Sequence, residues 1–158
     1  MLPEFNKLEV EIVSAQPKIQ DKCWDDYDYV LEKVRKRGSN LSKASPALRN
    51  NVDIVLAAIE KNGNNIGFAS DSIRDNYDVA SKAIEKNGSS ILFVSERLRH
   101  DYNLTMLAIK HKVSLMYIKP EFRNNVEIVI EAIKYYHNNV YYIPQELQTH
   151  PDILKIIK

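Results

Sequence analysis

Residues Tyr77–Asp101 read YDVASKAIEKNGSSILFVSERLRHD, and the pattern of this stretch recurs on both sides of it in a chain of 158 residues. The copies begin at Tyr27, Val52, Tyr77, Tyr102, Val126 and Pro151. Successive copies are 25 residues apart, except that the fourth is one residue shorter. A fixed period of this length is typical of structural repeats that stack on their neighbours. Positions within a copy are numbered from its first residue below.

The period divides the chain into a divergent first segment and a run of copies. The copies are 27–51, 52–76, 77–101, 102–125, 126–150 and a partial sixth, 151–158. Residues 1–26 do not carry the full pattern, and terminal repeats are atypical because one of their faces meets water. We therefore predict one structural domain, with residues 1–26 as an N-terminal cap and Trp24 packed in it.

The first half of each copy predicts a helix. Apolar or small residues recur at positions 1, 4, 7 and 8, which lie on one helical face; in the third copy these are Tyr77, Ala80, Ala83 and Ile84. The alanine at position 7 is small enough to let a neighbouring helix come close. Glycine follows at position 12, where a left-handed residue can end a helix; these are Gly38, Gly63 and Gly88.

The second half of each copy allows two interpretations. Ile91, Val94 and Leu98 are spaced three and four residues apart, and Pro46 and Pro120 suit the start of a short helix. This pattern favours two short helical pieces with a break. Alternatively, β-prone runs such as residues 140–143 form strands, which would give an α/β horseshoe. We predict the all-α form, an α-solenoid of about five helical repeats of 25 residues.

The composition and motifs exclude several kinds of site. The net charge of +1 gives no global field that would attract nucleic acid, and Cys23 is the single cysteine. The sequence contains no phosphate-binding glycine loop, no zinc motif and no catalytic serine or cysteine motif. The histidines lack the spacing of zinc ligands; they are His100, His111, His137 and His150. We therefore expect no catalytic site, no cofactor and no metal.

The copies resemble the family catalogued as domain of unknown function 4116 (DUF4116), whose units follow D-x-x-V-x-x-A-[VI]-x-x-N-G-x-x-L-x-x-A-S-x-x-L-[KR]-x-D. The third copy matches this pattern at Asp78, Ala83, Ile84, Asn87, Gly88, Ile91, Ser95, Leu98, Arg99 and Asp101. The second copy matches equally well, and the first, fourth and fifth lack the Asn-Gly pair. The resemblance implies a repeat fold in proteins of intracellular bacteria and large viruses, and it brings no activity and no site.

Two basic features offer an alternative function in nucleic-acid binding. An arginine recurs at position 23, as Arg49, Arg74, Arg99 and Arg123. Because an acid follows four residues later in three of the four cases, we interpret this series as local ion pairs rather than a phosphate-binding stripe. The run Lys33–Arg37 is the densest basic cluster, but it falls in the last turns of a helix, where cations are favoured by the helix dipole.

The fifth copy carries the strongest candidate for a binding site. Tyr135, Tyr136 and His137 replace the Lys-Asn-Gly of other copies, and the fourth copy is one residue short at the same turn. We predict that these changes leave a notch flanked by Lys112, Tyr135 and Tyr136, since exposed aromatic residues are favoured in interfaces. The aromatic series at position 17 predicts that Tyr142 belongs to the core.

These features together favour a non-enzymatic interaction module that binds or scaffolds a protein partner, directed at a host if the family resemblance holds. The first residues, MLPEFNKLEVEIVSAQPKIQ, lack the pattern of a signal peptide, and no apolar run is long enough to span a membrane. We expect a monomer that is cytoplasmic or delivered to a host cell.

Overall fold

A computed structural model describes residues 23–157, and its main elements are five long helices. Each long helix begins at position 1 of its repeat: Tyr27–Lys36, Val52–Lys61, Tyr77–Lys86, Tyr102–Lys110 and Val126–Tyr135. A sixth helix, Pro151–Ile157, opens the partial copy. An aspartate or asparagine caps the first turn of each long helix, because its side chain accepts from a backbone N–H. These residues are Asp26, Asn51, Asn76, Asp101 and Asn125. The capping residue therefore sets where each long helix begins.

The second half of each repeat consists of two short helical pieces, as predicted. The first pieces are 3-10 segments, at Gly38–Lys43, Gly63–Phe68, Gly88–Leu92, Leu115–Tyr117 and His137–Tyr142. The second pieces are Pro46–Arg49, Asp71–Arg74, Glu96–Arg99, Pro120–Arg123 and the 3-10 segment Gln145–Leu147. No strand occurs within residues 23–157, so the α/β horseshoe is wrong for this part of the chain. The fold is an all-α tandem repeat.

Each long helix packs against the long helix of the next repeat, and the core runs between them. Positions 4, 7 and 8 are buried, as predicted; in the third repeat these are Ala80, Ala83 and Ile84. The prediction for position 1 is wrong, because Tyr77 is 42% exposed, and position 3 is buried in its place, as Val79 shows. Side chains of a helix lean towards its N-terminus, so a residue in the first position extends past the helix end towards water.

The 3-10 segments and short helices bury a second stripe of apolar side chains. In repeats 2 and 3 this stripe consists of Ile66, Ala69, Ile73, Ile91, Val94 and Leu98. The first two members of each set lie three residues apart, and a 3-10 helix has three residues per turn, so both face the core. This spacing explains why a β-prone run such as residues 91–94 forms no strand here: packing requires one buried side chain about every third residue rather than every second residue.

Glycine at position 12 is needed for close packing, and the prediction of a left-handed conformation is wrong. No glycine of the described chain has a positive φ. A Cβ atom on Gly63 would lie 2.1 Å from the carbonyl oxygen of Ala83 and 2.5 Å from the hydroxyl of Ser90, both in the next repeat. A Cβ atom on Gly88 would lie 2.6 Å from the carbonyl oxygen of Ala108. In repeats 1 to 3, glycine therefore lets the 3-10 segment contact the end of the next long helix.

Polar groups on another edge connect each repeat to the next. The backbone N–H of Ser70 donates to the carbonyl of Arg49 at 3.0 Å, and that of Ser95 donates to Arg74 at 2.9 Å. The side chains vary between interfaces: Asn50 accepts from Ser70 at 2.6 Å, whereas Asp75 accepts from Arg97 at 3.0 Å. Each interface thus has its own polar pairing.

The interface between repeats 3 and 4 contains a charged cluster around Glu96. This carboxylate accepts from Lys119 of the next repeat and lies 3.0 Å from the ring of His100. The second ring nitrogen of His100 lies 2.5 Å from Glu121. Hydrogen bonds from Lys119 and then from His100 lower the pKa of Glu96 from 4.5 to about 2. Glu96 is therefore ionised in the folded protein under all mildly acidic conditions.

The predicted N-terminal cap lies mostly outside the described residues, which begin at Cys23. The part that is described packs as expected. Trp24 is partly buried and makes an edge-to-face contact with Tyr29 at 5.4 Å between ring centroids. The N–H of Ser45 donates to the carbonyl of Trp24 at 2.9 Å, as in the later interfaces. The segment before the first long helix therefore occupies the place of a preceding repeat's end.

We expect Ile84→Ala to lower the free energy of unfolding by about 2–5 kcal/mol, because a fully buried side chain would leave a cavity. Glu85→Ala, on the exposed face of the same helix, serves as the control and should change stability by less than about 0.5 kcal/mol. Urea denaturation of the full chain measures both values. Equal effects of the two substitutions would contradict the repeat phase.

Substitution of Gly63 separates close packing from backbone conformation. We expect Gly63→Ala to destabilise by about 1–3 kcal/mol, since the added Cβ would overlap the carbonyl of Ala83. Gly63→Asn should destabilise at least as much, whereas a left-handed site would tolerate asparagine better than alanine. Denaturant titration gives the order of the two variants, and a more stable asparagine variant would contradict the packing explanation.

The lowered pKa of Glu96 predicts a specific loss of stability in acid. A carboxylate whose pKa is lower in the folded state than in the unfolded state stabilises the fold above its unfolded pKa. The contribution of Glu96 should therefore be complete above pH 4.5 and disappear as the pH falls towards about 2. In denaturant titrations over this range, Glu96→Gln should lose less stability than the wild type. Glu85→Gln is the control and should follow the wild type. If Glu96→Gln showed the same pH dependence of stability as the wild type, the prediction would be contradicted.

Candidate functional site

The turn after the fourth long helix differs from every other turn after a long helix. Lys112 has a φ of 61°, the one positive φ of a non-glycine residue within residues 23–157. The N–H of Lys112 donates to Ile109 at 2.9 Å, and the N–H of Val113 donates to Ala108 at 3.1 Å. This pair of bonds is the Schellman ending of a helix. The other four long helices end in an extended residue, with no left-handed turn.

The missing residue of repeat 4 explains this turn. The fourth long helix has nine residues where the other four have ten, so its end points in a different direction around the helix axis, and the chain must reverse there to bring Leu115 into the core. A left-handed residue makes that reversal, and Val113 is then buried just behind it. Such a position normally takes glycine or asparagine, because a Cβ atom is unfavourable there. Lysine at this place is a local conflict between residue type and backbone, and its side chain forms no ion pair with residues 23–157.

A groove of about 440 Å³ opens beside this turn and crosses repeats 3, 4 and 5. Its lining residues are Asn87, Ser89, His111, Lys112, Val113, Ser114, Met116, Tyr117, Tyr136, Asn138, Tyr141 and Tyr142. They belong to the turn after each long helix and to the 3-10 segment that follows. The groove therefore lies at the edge where the repeat pattern is broken.

Aromatic and thioether side chains of the groove are exposed to solvent. Tyr141 is 84% exposed, and Met116 and Tyr117 are more than 40% exposed. The prediction that Tyr142 belongs to the core is wrong, since this residue is 42% exposed. In the 3-10 segment the core side is occupied by Val140 and by Ile143, three residues later. A side chain two residues after Val140 therefore points away from the core.

The polar groups of the groove are hydroxyls, amides, one lysine and one histidine. None of the lining residues is a carboxylate. Lys112 and His111 form no ion pair with any described residue. The amide of Asn138 donates to the hydroxyl of Tyr136 at 3.2 Å. The groove thus combines an exposed aromatic surface with an ammonium group that has no internal partner.

The structure places two of the three predicted site residues in the groove. Lys112 and Tyr136 line it, while Tyr135 is 42% exposed but is not among the lining residues. Sequence reasoning missed Met116 and Tyr141. A signal was present: position 16 is small in the first two repeats and large in the next three, where it carries Leu92, Met116 and Tyr141.

The arginine series forms other contacts than predicted. Arg74 lies 2.5 Å from Asp71, and Arg99 lies 3.4 Å from Glu96. Each acid stands three residues before its arginine in the same short helix, not four residues after it. The prediction was wrong because the short helix ends at the arginine, and an i,i+4 contact needs one continuous helix. Arg49 and Arg123 follow a proline at that place and form no ion pair with described residues.

The basic cluster at the end of the first long helix is partly neutralised. Lys36 lies 2.5 Å from Glu32, and Lys33 lies 3.7 Å from the same carboxylate and over the ring of Tyr29. Arg35 and Arg37 are exposed. Within residues 23–157 no group of His, Cys, Asp and Glu has the arrangement of a metal site. In the same range, none of the helices has the length and apolar character that crossing a membrane requires.

Comparisons with known proteins identify a family. The model of the family described as Domain of unknown function (DUF4116) matches residues 26–74, 76–114 and 110–148. The second and third matches overlap at residues 110–114, the shortened turn of repeat 4. No curated protein and no solved structure matches the chain. The matches thus cover the repeats on both sides of the groove.

Lys112→Gly tests whether the lysine serves the fold. We expect this substitution to raise the free energy of unfolding by about 1 kcal/mol, because glycine adopts the left-handed conformation without the penalty of a Cβ atom. Lys110→Gln, which removes the same charge two residues away, is the control and should have almost no effect. Denaturant titration measures both variants. A less stable Lys112→Gly protein would mean that the lysine side chain supports the turn.

Proposed function

The chain belongs to the family described as Domain of unknown function (DUF4116), and we propose that its repeats form a non-enzymatic module that binds a protein partner in the groove across repeats 3 to 5. The observation that carries this proposal is the exposed aromatic surface at the one turn where the repeat pattern is broken. Elsewhere the repeat residues serve packing, as the buried alanines of position 7 illustrate. Contacts with a partner then come from positions that vary between repeats.

The chemistry of the groove supports binding by a protein. Tyrosine and methionine are enriched in protein interfaces, and a few large aromatic residues carry most of the binding energy in many of them. Tyr141 gains contacts only if another molecule covers it, since 84% of its surface is exposed. A ring held on a short 3-10 segment loses little conformational freedom when it is covered, which favours its use as an anchor.

The hydroxyl groups of the groove support binding rather than catalysis. Ser89 donates its hydroxyl to Asn87 at 2.6 Å, and Ser114 accepts from the N–H of Met116 at 3.4 Å. Ser114 thus caps the backbone of its own 3-10 segment, and the hydroxyl of Ser89 is held by Asn87, the side chain that caps the 3-10 segment before that one. A nucleophilic serine would need a neighbouring base within hydrogen-bond distance and a third group to orient that base. His111 forms no hydrogen bond with either serine in the structure.

Binding of nucleic acid is the alternative function, and the charge distribution does not favour it. Phosphate backbones are bound by several lysines or arginines together. The groove contains one lysine, and the arginine series is divided between ion pairs and isolated side chains. Arg35 and Arg37 are exposed and form no ion pair with described residues, but they lie far from the groove along the chain.

The experiment places a photo-crosslinking amino acid, p-benzoylphenylalanine, at Tyr141 and, for comparison, at Tyr77. Both tyrosines are exposed, but only Tyr141 lines the groove. In cells that express the protein, we expect a discrete protein adduct from the Tyr141 position and none from the Tyr77 position. Equal adducts from both positions, or an adduct with nucleic acid, would contradict the proposal.

Tyr135 and Tyr136 provide a matched pair of variants for the same assay. They are adjacent, identical in type and similar in exposure, at 42% and 37%, but only Tyr136 lines the groove. We expect Tyr136→Ala to abolish the adduct formed at position 141 and Tyr135→Ala to retain it. The melting temperature of both variants should stay within about 4 °C of the wild type, since neither side chain is buried. Loss of the adduct together with a large drop in melting temperature would assign Tyr136 to the core.

A further inference from the structure

The ammonium group of Lys112 is available to a ligand. Several exposed lysines of the protein already contact a carboxylate, among them Lys36, Lys134 and Lys155. Lys112 contacts none, and no carboxylate lines the groove around it. A second, smaller groove between repeats 2 and 3 shows the contrast, because its Lys86 lies 3.8 Å from Glu60 in the same lining. Of these two grooves, only the one across repeats 3 to 5 has a lysine and no carboxylate in its lining.

The backbone at Lys112 supports the same conclusion. Its left-handed conformation favours glycine, so a lysine there destabilises the turn without a compensating contact inside the protein. Conformational strain that the fold does not require tends to occur at sites of function. The backbone conformation therefore points to a role for the lysine side chain in binding a ligand.

The groove has the dimensions of an extended peptide. It crosses from Asn87 in repeat 3 to Tyr142 in repeat 5, which is two steps between neighbouring long helices. Packed helices lie about 8–10 Å apart, so two steps span roughly 16–20 Å. An extended chain covers about 3.3 Å per residue, and this span therefore fits about five or six residues.

Resting on the proposed function, we propose that the groove binds an extended acidic peptide. A carboxylate of the peptide pairs with Lys112, and an apolar side chain next to it packs on Met116, Tyr117 and Tyr141. The aromatic rings supply the contact area, and the single ion pair selects acidic over basic sequences. Single-stranded nucleic acid fits less well, because one lysine neutralises one phosphate, while such ligands rely on several.

The test begins with a library of random linear peptides displayed on phage and selected on the immobilised full chain. Selection on wild-type protein should enrich peptides that carry Asp or Glu next to an apolar residue. A parallel selection on Lys112→Gly should enrich apolar peptides without the acid. Lys110→Gln is the matched control with the same loss of charge outside the groove, and it should behave as the wild type.

Titration with one selected peptide then gives the coupling between the two charges. Replacing the acid of the peptide by its amide should weaken binding to the wild type and to Lys110→Gln by about fivefold, a size typical of an exposed ion pair. On Lys112→Gly the same replacement should change the Kd by less than about twofold.

Three outcomes would overturn the inference, and they are distinguishable. If the selected peptides carried no acids, or if replacing the acid weakened binding to Lys112→Gly as much as to the wild type, the acidic preference would be wrong. Binding in the groove would still stand. Selection that succeeds equally on Tyr136→Ala, or that enriches nothing, would contradict the proposed function as well. Displacement of the peptide by a single-stranded thymidine oligonucleotide at equal concentration would assign the groove to nucleic acid.

Discussion

The stack depends on closing the C-terminal end of each long helix against its neighbours. The last carbonyl groups of a helix have no partner within the helix, and leaving them buried without one is unfavourable. In repeat 2 the carbonyl of Ala58 accepts from the N–H of Asn62 at 3.3 Å and from the amide of Asn65 at 2.8 Å. Gly38 of the preceding repeat lies directly against both the carbonyl and this amide. Helix ending, buried asparagine and glycine are therefore parts of one contact.

The same requirement is met differently in repeat 4, and the groove is the result. The carbonyl of Ala108 accepts from the N–H groups of His111 and Val113, both at 3.1 Å, so the helix end is closed by its own chain. Ser114 stands where repeat 2 has Asn65. The side-chain amide of Asn139, from repeat 5, donates to the carbonyl of Val113 and accepts from the N–H of Leu115. The helix end therefore needs no asparagine from its own repeat, although Gly88 still packs against it, and Lys112 and the neighbouring rings face solvent.

The polar contacts on the opposite half of each repeat add order to the stack. Asn50 with Ser70, Asp75 with Arg97, and His100 with Glu121 occupy equivalent places at successive interfaces. Exposed contacts of this kind contribute little stability individually. Their chemistry differs at each interface, however, so a repeat stacked on the wrong neighbour would place unmatched groups together. The backbone bonds between repeats, such as Ser70 to Arg49, are independent of side-chain type and hold the geometry constant.

The sequence by itself determined the period, the starts of the long helices, the buried positions 4, 7 and 8, and the turn at which the repeats change. These features are local, because helix phase and capping depend on residues three or four apart. Only the tertiary structure decided which face of each helix a neighbour covers. It exposed Tyr77 and Tyr142, gave Gly63 a packing role, and separated Tyr136 from Tyr135. Those outcomes depend on contacts between residues about one repeat apart in the sequence. The period of the repeats does not determine these contacts, because it is the same whichever faces pack together.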